Sequence, residues 1–153
     1  MTVSLRPYRD KDWPAVLALW IETWTLARPE IDFAARAPWL GTLFADSAAR
    51  GAHIVVAEDG EGLIGFVLYE PARSWLEQIA VHPRALGTGA AQKLIRHAKQ
   101  ACPEGFGLDV NADNSRALAF YHGEGFELVG AGTNPLSGLP VLSLRWTPPQ
   151  QAR

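Results

Sequence analysis

The chain has one cysteine, one methionine and four histidines in 153 residues, and it contains no apolar run long enough to span a bilayer. Lone Cys102 excludes an internal disulfide framework, and "MTVSLRPYRDKDW" lacks the apolar stretch of a secretory signal, so a reducing cytoplasm is the expected setting. His53, His82, His97 and His122 show no paired ligand spacing on any one element, so no metal site is expected. There is little excess charge of either sign: 14 basic against 16 acidic residues leave −2, which argues against nucleic acid as a dedicated partner. No repeat, low-complexity tract or linker interrupts the chain. Residues 1–147 are expected to form a single domain, burying about two-thirds of the surface an unfolded chain exposes, with the polar, proline-rich 148–153 as a frayed tail.

Hydrophobic residues are plentiful, at 48%, and their period changes along the chain. "TVSLRPY" alternates as a strand, after which Asp12 and Pro14 signal a helix start. Val16, Leu17, Trp20, Ile21 and Trp24 then recur at spacings of three and four, forming the stripe of a core-facing helix. Asp32 can cap a second helix that runs to Gly51. "HIVVAE", "GLIGFVLYE" and "WLEQIAV" read as an antiparallel meander around the turn "DGEG". A helix from about Gly89 to Ala101, the strand "GFGLDV", a helix through "NSRALAFYHGE" and the strands "FELVG" and "PVLSLRW" follow. Helices lying between strands imply an α/β sandwich on a mixed sheet, and only the crossover from "WLEQIAV" to "GFGLDV" is long enough to join parallel neighbours. The alternation of "PVLSLRW" suggests an exposed edge strand that could pair in a homodimer.

Chemistry concentrates in "VHPRALGTGAAQKLI", where glycines separate a strand from a helix. Glycine permits close ligand approach, and amides opening a helix bind anions. A dinucleotide fingerprint is missing its third glycine where Gln92 stands. A P-loop would need lysine and a hydroxyl residue where Ala90 and Ala91 stand. On this fragment alone, a turn that uses glycine for geometry only remains open. In "LDVNADNSRALAFYHGEGF", Asn114 and Tyr121 lie two helical turns apart, so an amide and a phenol return to nearly one face.

Taken in order, "LEQIAVHPRALGTGAAQKLI" and "LDVNADNSRALAFYHGEGF" resemble the pyrophosphate motif and the following motif of the GNAT superfamily of acetyl-coenzyme A-dependent N-acetyltransferases, over roughly residues 75–130. The resemblance implies a mixed, mostly antiparallel central sheet of six or seven strands flanked by about four helices, with a splayed parallel strand pair at the cofactor site. Counted from Pro83, Leu86 stands where the family usually has arginine or glutamine, and Gly89 and Ala91 fill the two small-residue positions. The frame leaves the amides of Leu86, Gly87, Thr88, Gly89, Ala90 and Ala91 to bind pyrophosphate, with Arg84 as an auxiliary charge. Acetyl-coenzyme A is then the implied co-substrate, its pantetheine pairing with the backbone of Ile79 and Val81, and Asn114, Ala117 and Tyr121 completing the contacts.

The same resemblance implies direct transfer to a primary amine on a small molecule or peptide. Glu77 is the candidate base, Tyr121 the candidate acid for the departing thiolate, and the Ile79 amide a candidate oxyanion donor. Strand alternation puts Glu77 on one face with Trp75, Ile79 and Val81, at a solvated edge or in a cleft, and turns Gln78 the other way. The resemblance also implies that the first two helices and the late hairpin "NPLSGLPVLSLRW" shape the acceptor side, where Arg28, Glu30 and Asp32 could read a charged acceptor. The non-enzymatic alternative is an acyl-coenzyme A-binding or sensing module.

Overall fold

A computed structural model describes residues 2–149. Seven strands, β1 (Ser4–Pro7), β2 (His53–Asp59), β3 (Gly62–Glu70), β4 (Trp75–Val81), β5 (Phe106–Asn111), β6 (Phe126–Thr133) and β7 (Pro140–Trp146), form one sheet in the order β1-β2-β3-β4-β5-β7-β6. Every neighbouring pair is antiparallel except β4 and β5. Four helices cover the faces: α1 (Trp13–Ala27), α2 (Ala37–Ala49), α3 (Ala90–Ala101) and α4 (Ser115–Gly123).

Sheet and helices enclose two cores, one on each face. Val16 and Trp20 of α1 and Leu40 and Phe44 of α2 pack on Val56, Phe66 and Leu68. Leu94, Ile95 and Ala98 of α3 and Tyr121 of α4 pack on Val55, Val67 and Leu108. Neighbouring Val55 and Val56 serve opposite cores, as a period of two requires. Each fully buried leucine or phenylalanine favours the fold by about 1.5–3 kcal/mol over its exposed state.

Three details differ from the expectations. Asp12 does precede α1, and Pro14 lies in its first turn, but Asp12 makes no side-chain cap. Its carboxylate instead accepts both Nη atoms of Arg6 and the Arg9 amide, each at 2.8 Å, because a neighbouring guanidinium competes successfully for it. Asp32 does not cap α2: it accepts the Ala35 amide at 3.2 Å, just ahead of a short 3-10 turn, Ala34–Arg36, whose N-cap is Phe33. Strand β7 is not an edge: it lies between β5 and β6, paired on both sides, so it offers no free ladder to a second copy. The chain turns from β6 directly back into β7, which fills the space that the short crossover after β5 leaves open. Of the expected frayed tail, Pro148 and Pro149 have no regular structure, and residues 150–153 lie outside the described residues.

Candidate active site

The parallel pair β4–β5 is joined at one position, Trp75 opposite Gly107, with the Gly107 amide donating to the Ser74 carbonyl at 2.9 Å. Beyond it the strands part. Gly107 is required there, since a Cβ would come within 2.9 Å of the Trp75 ring. The parting opens a cleft of about 1130 Å³, bordered by Trp75–Val81 of β4, Leu108–Asn111 of β5, the glycine loop and α4. Its volume suits an extended organic ligand.

Glu77 lies on this cleft at an irregularity of the sheet: Leu68 of β3 faces Gln78 and Tyr69 faces Leu76, so Glu77 is the extra residue of a β-bulge. Strict alternation therefore breaks, and Leu76 joins Ile79 and Val81 at the core beneath α3 and α4. At such a bulge the face shared with Trp75, Ile79 and Val81 no longer follows from alternation, although Glu77, Ile79 and Val81 all border the cleft. Gln78 turns toward α1, where its Oε1 accepts the Trp20 indole N–H at 3.3 Å. The Glu77 carboxylate accepts Arg73 Nη1 at 3.1 Å.

The glycine loop is built by a 3-10 turn, Pro83–Ala85, that His82 caps through Nδ1 while its Nε2 meets Glu22 of α1 at 3.0 Å. Gly87 and Gly89 have φ of 80° and 83°, a left-handed region that glycine enters without strain. Not all six expected amides are free. Those of Leu86 and Thr88 donate to Pro83 and Ala85 carbonyls at 3.1 Å, and that of Ala90 to the Thr88 hydroxyl at 3.3 Å. The amides of Gly87, Gly89, Ala91 and Gln92 find no acceptor among the described residues, as the first turn of a helix predicts. Leu86, Gly87, Gly89, Ala90 and Ala91 border the cleft; Thr88 does not. Arg84 also lies outside it, its Nη1 held by Asp59 at 3.0 Å and Glu61 at 3.4 Å.

Asn114, Ala117 and Tyr121 border the cleft from α4. Asn114 caps the helix, its Oδ1 accepting the Ala117 amide at 3.1 Å, so the capping and cleft positions coincide. Tyr121 is buried and stacks edge-on against Phe120 and Phe126 at 5.3 Å. Tyr121 borders the cleft, and its hydroxyl makes no hydrogen bond among the described residues. Burial pushes the phenol above its ordinary value, keeping it protonated at neutral pH.

At the other end Trp20, Trp24, Phe33 and Trp39 form an aromatic wall with Arg28 and Arg36, facing the hairpin residues Asn134–Ser137. Arg28 forms ion pairs with Asp113 and, at 3.7 Å, Glu30. Trp20, expected in the core, is buried there and borders the cleft as well. Sequence reasoning missed Trp75, Gln92, Asn111 and Phe120 on the cleft wall. Gln92 was legible as the third residue of α3, a position whose amide has no partner within its helix; the others depend on where β5 sits. No three His, Cys, Asp or Glu side chains converge among the described residues, and no helix described is long and apolar enough to cross a membrane.

The site thus combines a splayed parallel pair with a loop of free amides, within a sheet of this order. The model of the Acetyltransferase (GNAT) family matches residues 13–126, and the chain belongs to that family. It is accordingly an acetyl-coenzyme A-dependent acyltransferase. The chain is 28% identical to the peptidyl-lysine N-acetyltransferase YiaC of Escherichia coli (strain K12) over 142 residues, covering 93% of this chain and 95% of that protein. It superposes on the solution structure of apo-form YjaB from Escherichia coli with a TM-score of 0.73 and 25% identity, covering 95% and 98% of the two chains. The PaiA N-acetyltransferase of Thermoplasma acidophilum, solved in complex with coenzyme A, shares the fold at a TM-score of 0.79 and 16% identity, covering 96% and 99%.

Proposed function

We propose that this protein transfers the acetyl group of acetyl-coenzyme A directly to a primary amine on a small molecule or peptide, with Glu77 as base and Tyr121 as acid. The observation that carries the reading is the parting of β4 from β5 above the unpartnered amides of Gly87, Gly89, Ala91 and Gln92, with Glu77 and Tyr121 both on the walls. Four amides at the start of α3 suit a pyrophosphate, and the gap between the strands suits a pantetheine arm along Ile79 and Val81. Thr88 holds the turn, Leu86, Asn114 and Ala117 shape the wall, and Arg84 stays with the β2–β3 turn. A peptide acceptor draws support from YiaC, named for peptidyl-lysine.

An amine acceptor is mostly protonated at neutral pH. Glu77 takes its proton, directly or through water, freeing the lone pair to attack the thioester carbon. The Ile79 amide stabilises the negative charge that develops on the carbonyl oxygen. As the carbon–sulfur bond breaks, Tyr121 gives its proton to the thiolate, leaving an amide and free coenzyme A. Residues 1–147 act as one unit in this scheme. We place it in the cytoplasm, a reducing setting that suits the single buried thiol, Cys102.

Thermal unfolding with acetyl-coenzyme A, its 3′-dephospho form and adenosine diphosphate, followed by assay of thiol release with a panel of amines, tests the reading. A ligand at a hundred times its dissociation constant stabilises by about 2.7 kcal/mol, a shift of several degrees. A shift with both coenzyme A forms and amine-dependent release are expected. No shift in folded, cofactor-free protein overturns the site; a shift without release, for any amine, leaves a binding module.

A further inference from the structure

Glu70, the last residue of β3, is 2% exposed, and a buried carboxylate is costly unless paired. Arg50 reaches both of its oxygens, through Nε at 2.8 Å and Nη2 at 3.4 Å. That hydrogen bonding keeps the carboxyl below its ordinary value in spite of burial. Yet a second guanidinium approaches. Arg73 Nη1 lies 2.6 Å from Glu70 Oε2 and 3.1 Å from Glu77 Oε1, so one nitrogen bridges the buried carboxylate and the carboxylate on the cleft. Arg73 stands in the 3-10 turn between β3 and β4, which ends at Ser74 with φ of 50°, the one positive φ at a non-glycine residue among the described residues. Serine is mildly strained there. The same Ser74 holds β5 through its carbonyl.

Resting on the reading of Glu77 as base, we infer that Arg73, anchored by Glu70, is a positioning residue that fixes the Glu77 carboxylate at the bulge for proton transfer. The carboxylate of an extra residue in a bulge is not aimed by the sheet ladder, and a tether to a buried anion supplies the missing constraint. Arg73 itself does not border the cleft, so it acts only through Glu77.

The test uses the full chain, acetyl-coenzyme A and the fastest amine from a screen of polyamines, amino acids and Nα-blocked lysine peptides. Arg73 is half exposed, so Arg73→Gln should fold. Its kcat should fall about 10- to 100-fold, while amine KM and acetyl-coenzyme A Kd stay within about twofold. Arg73→Lys should recover part of the loss, since an ammonium can bridge two oxygens without the planar fork. In the Glu77→Gln background, Arg73→Gln should cost nothing further. Unchanged kcat in Arg73→Gln, with kcat lost in Glu77→Gln, overturns the positioning role and spares the base. Independent, multiplying losses in the double variant also overturn it. Normal turnover in Glu77→Gln overturns the base reading itself.

Discussion

Replacing Tyr121 by phenylalanine removes one oxygen and nothing else the fold uses. The ring is 6% exposed and held by edge contacts to Phe120 and Phe126 that phenylalanine keeps. The hydroxyl bonds to no described residue, so no partner is stranded, and stability should change by no more than about 0.5 kcal/mol. Acetyl-coenzyme A should raise the melting temperatures of variant and wild type equally. Turnover is different: a positioned general acid contributes about 10²–10⁴-fold, equal to roughly 3–5 kcal/mol in the barrier. Steady-state thiol release should show this loss in kcat, with acetyl-coenzyme A Kd, measured by titration, unchanged. Because burial raises the phenol, its ionisation should not limit turnover below about pH 10 in the wild type. A Tyr121→Phe enzyme with kcat within about twofold of wild type would refute the acid assignment, since chemistry of that magnitude cannot be hidden by a loss of one hydroxyl.

Two further predictions concern the scaffold. The Arg6 hydrogen bonds hold the Asp12 carboxyl down at about 2, against an ordinary 3.8, so the folded state favours its charge. A depressed folded value gives stability that is present above about pH 4 and lost as pH falls through 2, worth about 2 kcal/mol. Urea unfolding across pH 2–7 should show the wild type losing that margin over Asp12→Asn; parallel curves would remove the linkage. Gly105 has φ of 99°, and a Cβ there would sit 2.3 Å from the Trp146 carbonyl oxygen, so Gly105→Ala should cost about 2 kcal/mol or more. Gly123, near the end of α4 with open space around its Cβ, is the control: Gly123→Ala should stabilise by about 0.5 kcal/mol, and equal effects at both sites would contradict the geometry.

The elements themselves were legible because each carries its own period and punctuation. The stripe from Val16 to Trp24, the meander around "DGEG" and the glycine loop depend on neighbours in sequence, and the structure has α1, β2–β4 and α3 where these signals put them. What depended on partners distant in sequence was not legible. Alternation along "WLEQIAV" cannot reveal that β3 supplies one residue fewer, so the bulge at Glu77 came only with the pairing. Counting amides in "LGTGAA" cannot show that Thr88 occupies the Ala90 N–H, or that Asp59 and Glu61, 25 and 23 residues upstream, hold Arg84. The place of β7 between β5 and β6 likewise rests on its pairing with β5, distant in sequence, and an alternating strand looks the same at an edge or inside.

The splay and the bulge are joined through a single short turn. Parallel strands that paired along their whole length would leave no room for a ligand, and strands with no pairing would let the sheet divide. One contact, Trp75 opposite Gly107, avoids both, and it demands glycine beneath the indole and a carbonyl from Ser74. Ser74 can present that carbonyl only at the end of the 3-10 turn whose left-handed exit it provides, and that turn also carries Arg73 toward Glu70 and Glu77. The residue that closes the cleft at its base and the residue that tethers the carboxylate on its wall are therefore adjacent in sequence. A change in the turn should disturb cleft width and carboxylate position together, which is why Arg73→Gln, altering charge without altering the backbone, is the variant that separates the two.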